Sequence, residues 1–218
     1  MRPLPALGDR PCGKALAHLP CRQQLGYIKL FSMEGKTMGY TSNHGTQLKT
    51  LIDERQIQQR VRELGEKIAQ DYEGKPLHLI CILKGACIFL SDLIRHLPLD
   101  ISVDFMALSS YANSLHTSGE VKIIKDLDSS IQGRDVIVIE DILDTGLTLD
   151  YLKRSLLTRG PKTLDICTLL SKPSRRIKEV KASYVGFEIP DDFVVGYGLD
   201  FAERYRNLPT ISVMQNHE

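Results

Sequence analysis

The chain lacks most of the features that would assign it to a specialised class. No stretch approaches the roughly 20 consecutive apolar residues that a membrane-spanning helix requires, which excludes a helical membrane protein. Charge of one sign is also missing, with 28 Lys and Arg against 27 Asp and Glu and a net charge of +1. A generic nucleic-acid binder draws its affinity from surplus basic residues, so that class is disfavoured. An anionic ligand would have to be held by local placement of charge and backbone N–H groups. The five cysteines follow no disulfide or metal-binding spacing: Cys12 and Cys21 lie near the N-terminus, and Cys81, Cys87 and Cys167 lie in or beside apolar runs. Free thiols in a reducing, cytoplasmic compartment are the expectation. There is no internal repeat and no low-complexity tract.

The first 46 residues differ from the remainder. They carry Pro3, Pro5, Pro11 and Pro20 among scattered basic residues, with Asp9 the sole acid before Glu34. No sustained apolar core marks a secretory signal. An acid-poor, basic start fits an organellar transit peptide in composition, but its amphipathic pattern is weak. Met33 and Met38 offer a simpler reading, in which this stretch is a disordered tail or precedes the true start. The functional domain is placed at residues 47–218.

What is present from there on is an α/β pattern. At 218 residues and 42% hydrophobic content, the chain can fill the core of one such domain. Asp53 with Gln56 three residues later resembles a capping box, and Ile57, Val61, Leu64 and Ile68 recur at helical spacing. Leu77–Leu83 is expected as a buried strand, Ala86–Arg95 as a helix, and Asp100–Ser109 and Val121–Asp126 as two strands around a long polar loop. Asp135–Ile139 is a further strand, Leu147–Arg159 a helix and Leu164–Leu170 a strand. Tyr184–Phe187, Phe193–Tyr197 and Thr210–Met214 are shorter strands outside this alternation. The expected architecture is a central, mostly parallel sheet with helices on both faces, plus a small hood subdomain formed by the late strands.

The segment from Val136 to Thr148 carries the most chemical information. Four consecutive β-branched residues, Val136 to Ile139, imply a strand buried on both faces. Glu140 and Asp141 then emerge at its carboxyl end, where open α/β sheets bind ligands. Asp144-Thr145-Gly146-Leu147-Thr148 leads into a helix, so a glycine turn, two hydroxyls and the N–H groups of a helix start adjoin the acids. Acceptors for sugar hydroxyls thus stand beside a cradle for a phosphate. An ordinary strand end with solvated acids and a threonine cap is the bland alternative, and it leaves the third acid and the Thr-Gly-x-Thr turn unexplained. Other nucleotide motifs fit worse: there is no G-x-x-x-x-G-K-[ST], Gly196 and Gly198 lack the third glycine of a dinucleotide fingerprint, and no H-E-x-x-H or paired C-x-x-C occurs.

This stretch resembles the phosphoribosyl-diphosphate signature of type I phosphoribosyltransferases. The Ser110-Tyr111 loop, Leu83-Lys84-Gly85, Leu170-Ser171-Lys172 and Gly186-Phe187-Glu188-Ile189-Pro190-Asp191 further resemble the hypoxanthine(-guanine) branch, in its bacterial type, with Leu147 where mammalian relatives carry lysine. The resemblance runs from about Gln47 to the end. It implies that Glu140 and Asp141 bind the ribose hydroxyls, directly or through Mg²⁺, and that Asp200 is a further metal-binding acid. Asp144 becomes the catalytic group beside purine N7, and Asp144, Thr145, Gly146, Leu147 and Thr148 hold the 5′-phosphate. Lys84, Gly85 and Arg206 meet the diphosphate, with an unusual cis peptide expected between Leu83 and Lys84. Lys172 reads the purine O6, Phe193 stacks on the base, and Val194 and Leu199 contact its far edge. Ser110 and Tyr111 belong to a lid that closes over the reacting centre.

The implied reaction joins hypoxanthine, and guanine, to 5-phosphoribosyl 1-diphosphate with Mg²⁺ as cofactor, in a homodimer or homotetramer with no nucleic-acid or membrane partner. Two rivals remain in view. A non-catalytic module binding phosphoribosyl diphosphate would keep the Glu140–Thr148 segment, but no helix-turn-helix pattern accompanies it here. A phospho-acceptor receiver domain also uses strand-end acids, and it leaves the Thr-Gly-x-Thr turn without a role.

Overall fold

Each strand of the central sheet alternates its side chains between two helical layers, and this alternation sets the architecture. The computed structural model describes residues 29–30, 40–41, 47–110 and 121–215. Six strands form the main sheet in the order β6-β5-β4-β7-β8-β9. They are β4 (Leu77–Leu83), β5 (Ile101–Ser110), β6 (Val121–Lys125), β7 (Asp135–Leu143), β8 (Thr163–Ser171) and β9 (Tyr184–Glu188). All neighbours run parallel except β5 and β6, which pair antiparallel around the polar loop.

Helix α1 (Glu54–Asp71) opens with the expected capping box: the Gln56 amide donates to Asp53 Oδ1 and the Asp53 amide to Gln56 Oε1, both at 2.9 Å. Its buried Ile57, Val61 and Ile68 pack with Phe89 and Leu93 of α2 (Cys87–Leu93) against Leu79, Ile137, Ile139 and Leu169. On the other face α3 (Leu147–Leu157) sets Leu149, Leu152 and Leu156 against Ile80, Val136, Val138 and Ile166. The four β-branched residues of β7 are thus shared between both layers and almost wholly buried. Each contributes about 1.5–3 kcal/mol relative to remaining exposed. Cys81, Cys87 and Cys167 are free.

A second, antiparallel sheet caps the carboxyl side in the order β1-β2-β3-β11-β10. It comprises β1 (Lys29–Leu30), β2 (Tyr40–Thr41), β3 (Gln47–Ile52), β10 (Val194–Val195) and β11 (Ile211–Gln215). This is the hood, and three of its features differ from the sequence expectation. Strand β3 is new: Leu48 and Ile52 are buried while Gln47 and Lys49 face out, a short run whose apolar residues do not alternate strictly with polar ones. Strands β1 and β2 fall inside the stretch assigned to an N-terminal tail, and Thr41 pairs with Gln47. Tyr184–Glu188 belongs to the main sheet rather than to the hood, pairing parallel with β8 from Cys167↔Tyr184 to Ser171↔Glu188. The β8–β9 connection contains only a 3-10 turn, Pro173–Arg175, so the strand–helix alternation fails there although the parallel crossover persists.

Among the described residues no helix is long and apolar enough to cross a membrane. At the amino ends of the strands a pocket of about 480 Å³ is lined by residues including His78, Ser102 and Arg134. None of the sequence-predicted site residues lies in it. Those among the described residues gather at the opposite edge, beneath the hood.

Candidate active site

Strand β7 runs four residues further than expected, to Leu143, because β8 continues beside it through Glu140↔Thr168, Ile142↔Leu170 and Leu143↔Ser171. Glu140 and Asp141 are therefore held on regular strand backbone and not on a loop, half-buried at the carboxyl edge. Burial and the neighbouring Asp141 carboxylate push the Glu140 carboxyl well above the usual range. Burial pushes Asp141 up to about 6, with Asp200 adding to the rise, while the Ile142 amide and Arg206 pull it back. Such acids are costly to keep ionised without a compensating cation or hydrogen-bonding ligand.

Two backbone segments stack beside Asp141. The Leu83–Lys84 peptide is cis, and Gly85 follows so close to Asp141 that any Cβ would collide with its carboxylate. Gly198, at φ +102°, packs in turn on the Gly85 carbonyl, where a side chain would again collide. The hood turn after Gly198 is wound through left-handed conformations at Ala202, Glu203 and Tyr205, and such strained positions cluster at functional sites. Within it Arg206 Nη2 pairs with Asp200 Oδ1 at 2.8 Å, and its Nη1 donates to the Gly198 carbonyl at 2.8 Å. Lys84 Nζ pairs with Glu203 Oε2, also at 2.8 Å. The two cations predicted for diphosphate, Lys84 after β4 and Arg206 in the hood turn, therefore each face an acid of that turn.

The turn expected to cradle a phosphate begins α3 on a glycine. Gly146, at φ +81°, is the N-cap of α3 and brings no capping side chain, so the first turn presents amides suited to an anion. A Cβ at Gly146 would strike the Lys178 carbonyl. The Thr145 carbonyl accepts from the Ile177 and Lys178 amides at 2.9 and 3.0 Å, and Thr145 Oγ1 accepts from the Leu147 amide at 3.4 Å. Leu147 and Thr148 open the helix on its accessible side.

On the base side, Lys172 follows β8 with only 7% of its surface exposed. Phe193 is 54% exposed and meets Phe201 edge to face, with centroids 5.7 Å apart. Val194 and Leu199 are buried beneath. Tyr197, between them, donates its hydroxyl to Asp92 at 2.6 Å, fastening the hood to α2. Asp144 is met by Arg175 Nε at 2.9 Å. Arg176 ties the same turn down by donating to the Leu143 carbonyl at 3.0 Å, to the Asp144 carbonyl, and to Ser171 Oγ at 2.9 Å. Tyr111 and the side chain of Ser110 lie outside the described residues, and so does the expected lid.

Sequence reasoning missed Arg175, Arg176 and Glu203. Nothing local marks them, since each meets the site through a fold contact and not through a motif. No group of three or more acids, histidines or cysteines forms a ready-made metal cage among the described residues. A cation that binds through one or two carboxylates and substrate phosphates needs no such cage. Asp141 and Asp200, close enough for one to raise the pKa of the other, provide the hard oxygen donors that a divalent ion of this kind takes.

Residues 47–202 match the phosphoribosyl transferase domain family. The chain is 54% identical over 167 residues to the hypoxanthine-guanine phosphoribosyltransferase of Bacillus subtilis, covering 77% of this chain and 93% of that protein. It is 51% identical over 170 residues to the enzyme of the same name from Mycobacterium tuberculosis, covering 75% and 84%. A crystal structure of a hypoxanthine-guanine phosphoribosyltransferase from Bacillus anthracis superposes with a TM-score of 0.73 at 52% identity, covering 76% of this chain and 97% of that one.

Proposed function

Because the chain belongs to the phosphoribosyl transferase domain family, we propose that it is a purine salvage enzyme that makes IMP from hypoxanthine, and GMP from guanine. The donor is 5-phosphoribosyl 1-diphosphate. A bond forms between purine N9 and the anomeric carbon, the bond from that carbon to the diphosphate oxygen breaks, and the base gives up a proton. What supports this reading is that residues suited to a sugar-phosphate and residues suited to a 6-oxopurine stand at one sheet edge. Glu140–Asp141 and the Gly146 cradle supply the first; Lys172 and the Phe193 face supply the second.

Each role follows from the chemistry of the group. Glu140 and Asp141 accept from the ribose hydroxyls and fix the ring over the strand end. The first-turn amides of α3, with the Thr145 and Thr148 hydroxyls, hold the 5′-phosphate. Lys84, the Gly85 backbone and Arg206 receive the diphosphate, exchanging Glu203 and Asp200 for a more highly charged partner. Lys172 donates to the purine O6, which selects against a 6-amino group that offers donors where an acceptor is needed. Phe193 stacks on the base, while Val194 and Leu199 bound its far edge. Asp144 accepts at N7 and manages the purine proton. Glu140, Asp141 and Asp200, together with substrate oxygens, would hold Mg²⁺, which would supply charge neutralisation for the leaving group. Ser110 and Tyr111 are assigned to the lid, residues 47–218 to the catalytic domain, and the protein to the cytoplasm as a homodimer or homotetramer, all by the family resemblance.

Formation of IMP from hypoxanthine and 5-phosphoribosyl 1-diphosphate tests the reading directly. Binding of the sugar diphosphate without turnover of any purine would favour the non-catalytic module instead.

A further inference from the structure

Four ionisable side chains run in a line along the base side of the site. Arg175 Nε lies 2.9 Å from Asp144 Oδ1, an oxygen closed off from solvent. Arg175 Nη1 lies 3.3 and 3.4 Å from the two oxygens of Asp191. Asp191 Oδ1 is in turn 3.8 Å from Lys172 Nζ. The order is acid, base, acid, base, and the two ends are the groups assigned above to purine N7 and O6.

Those two purine atoms sit on one edge of the base, so the groups that read them must stand side by side. Lys172 is buried and Asp144 carries the opposite charge, and two such groups at short range would pair directly with each other. The structure shows a different arrangement, in which each is paired with a member of an intervening ion pair. A guanidinium suits that position because its delocalised charge reaches two carboxylates at once, at 2.9 Å from Asp144 and 3.3 Å from Asp191. The Arg175 backbone is also held, since the Pro173–Arg175 turn is pinned by the Arg176 contacts to Leu143, Asp144 and Ser171.

We infer that Arg175 is a positioning residue for purine recognition: bridging Asp144 and Asp191, it aims the Asp144 carboxylate at the base and keeps Lys172 available for O6. The inference rests on the roles proposed for Asp144 and Lys172. Arg175 and Asp191 are both half-exposed, and ion pairs of that kind add little to stability. Removing the bridge should therefore show in catalysis and not in folding.

The test is steady-state kinetics of R175M, R175K, D144N and R175M/D144N, alongside thermal unfolding. R175M is expected to lose tenfold or more in kcat/KM for hypoxanthine, with KM for 5-phosphoribosyl 1-diphosphate within twofold of wild type and Tm unchanged. R175K should recover part of the loss. Because Arg175 acts through Asp144, adding R175M to D144N should cost much less than R175M alone. Full activity in R175M overturns the inference. So does a loss that is additive with D144N, raises both KM values alike, or follows a fall in Tm. Wild-type protein that forms no IMP overturns the proposed function and this inference together. Wild-type turnover with an impaired D144N and a normal R175M overturns this inference alone.

Discussion

At the scale of single residues, the site depends on groups that are costly where they stand. Gly85 leaves no room for a side chain beside Asp141. G85A should therefore fold with a displaced β4 end and lose at least tenfold in kcat/KM for the sugar diphosphate; wild-type kinetics would show that this close approach is dispensable. Asp144 is the group assigned to the purine proton. Acid–base groups of this kind contribute roughly 10²–10⁴-fold, so D144A should lose turnover on that scale while still binding the phosphoribosyl donor. A kcat within threefold of wild type would remove Asp144 from the mechanism. The assigned residues divide by how local their signal is. Glu140, Asp141 and the Asp144–Thr148 turn are legible because strand, acids, glycine and helix start are contiguous. Lys172 and Phe193 were read through family resemblance, since a lone lysine or aromatic has no such context. Arg175 and Glu203 were not legible, because each acquires its partner only when distant segments meet.

At the scale of elements, the phosphate cradle depends on how α3 begins. Gly146 combines a left-handed backbone with contact to the Lys178 carbonyl, so G146A would incur both backbone strain and a steric clash. A loss of about 1–3 kcal/mol is expected in denaturant unfolding, together with a raised KM for the phosphoribosyl donor. An unaltered midpoint and KM would mean that the turn tolerates a side chain. Strand β7 shows why element boundaries were harder to read than element types. Its apolar run stops at Ile139, but pairing with β8 carries the strand to Leu143, and hydrogen-bonded register has no sequence signature of its own. Strand β9 was misplaced for a related reason, since its connection from β8 lacks the helix that signals a parallel crossover.

At the scale of the whole molecule, the proposed catalytic site and a stabilising ion pair lie at opposite ends of the sheet. The amino end is secured by Asp135, whose carboxylate accepts from Lys162 Nζ at 2.8 Å and from the Thr163 hydroxyl at 2.9 Å. The Lys162 hydrogen bond chiefly, helped by Thr163 and opposed by burial, holds the Asp135 carboxyl below its ordinary range. A depressed folded-state pKa gives stability that is present above the unfolded value, about 3.9, and is lost as pH falls through the folded one. D135N should therefore be less stable than wild type at pH 7, and the gap should narrow as pH falls below the unfolded value and through the lower folded one, where the wild-type acid protonates. A gap independent of pH would exclude that linkage.

The carboxyl end depends on the hood meeting the main sheet, which brings the proposed sugar-phosphate cradle and the proposed 6-oxopurine reader to one edge. The most direct measurement of this claim is kcat/KM for hypoxanthine, guanine, xanthine and adenine with 5-phosphoribosyl 1-diphosphate as donor. Hypoxanthine and guanine should dominate, with adenine slower by at least a hundredfold. Preferred turnover of adenine, or no turnover of any purine, would contradict the account.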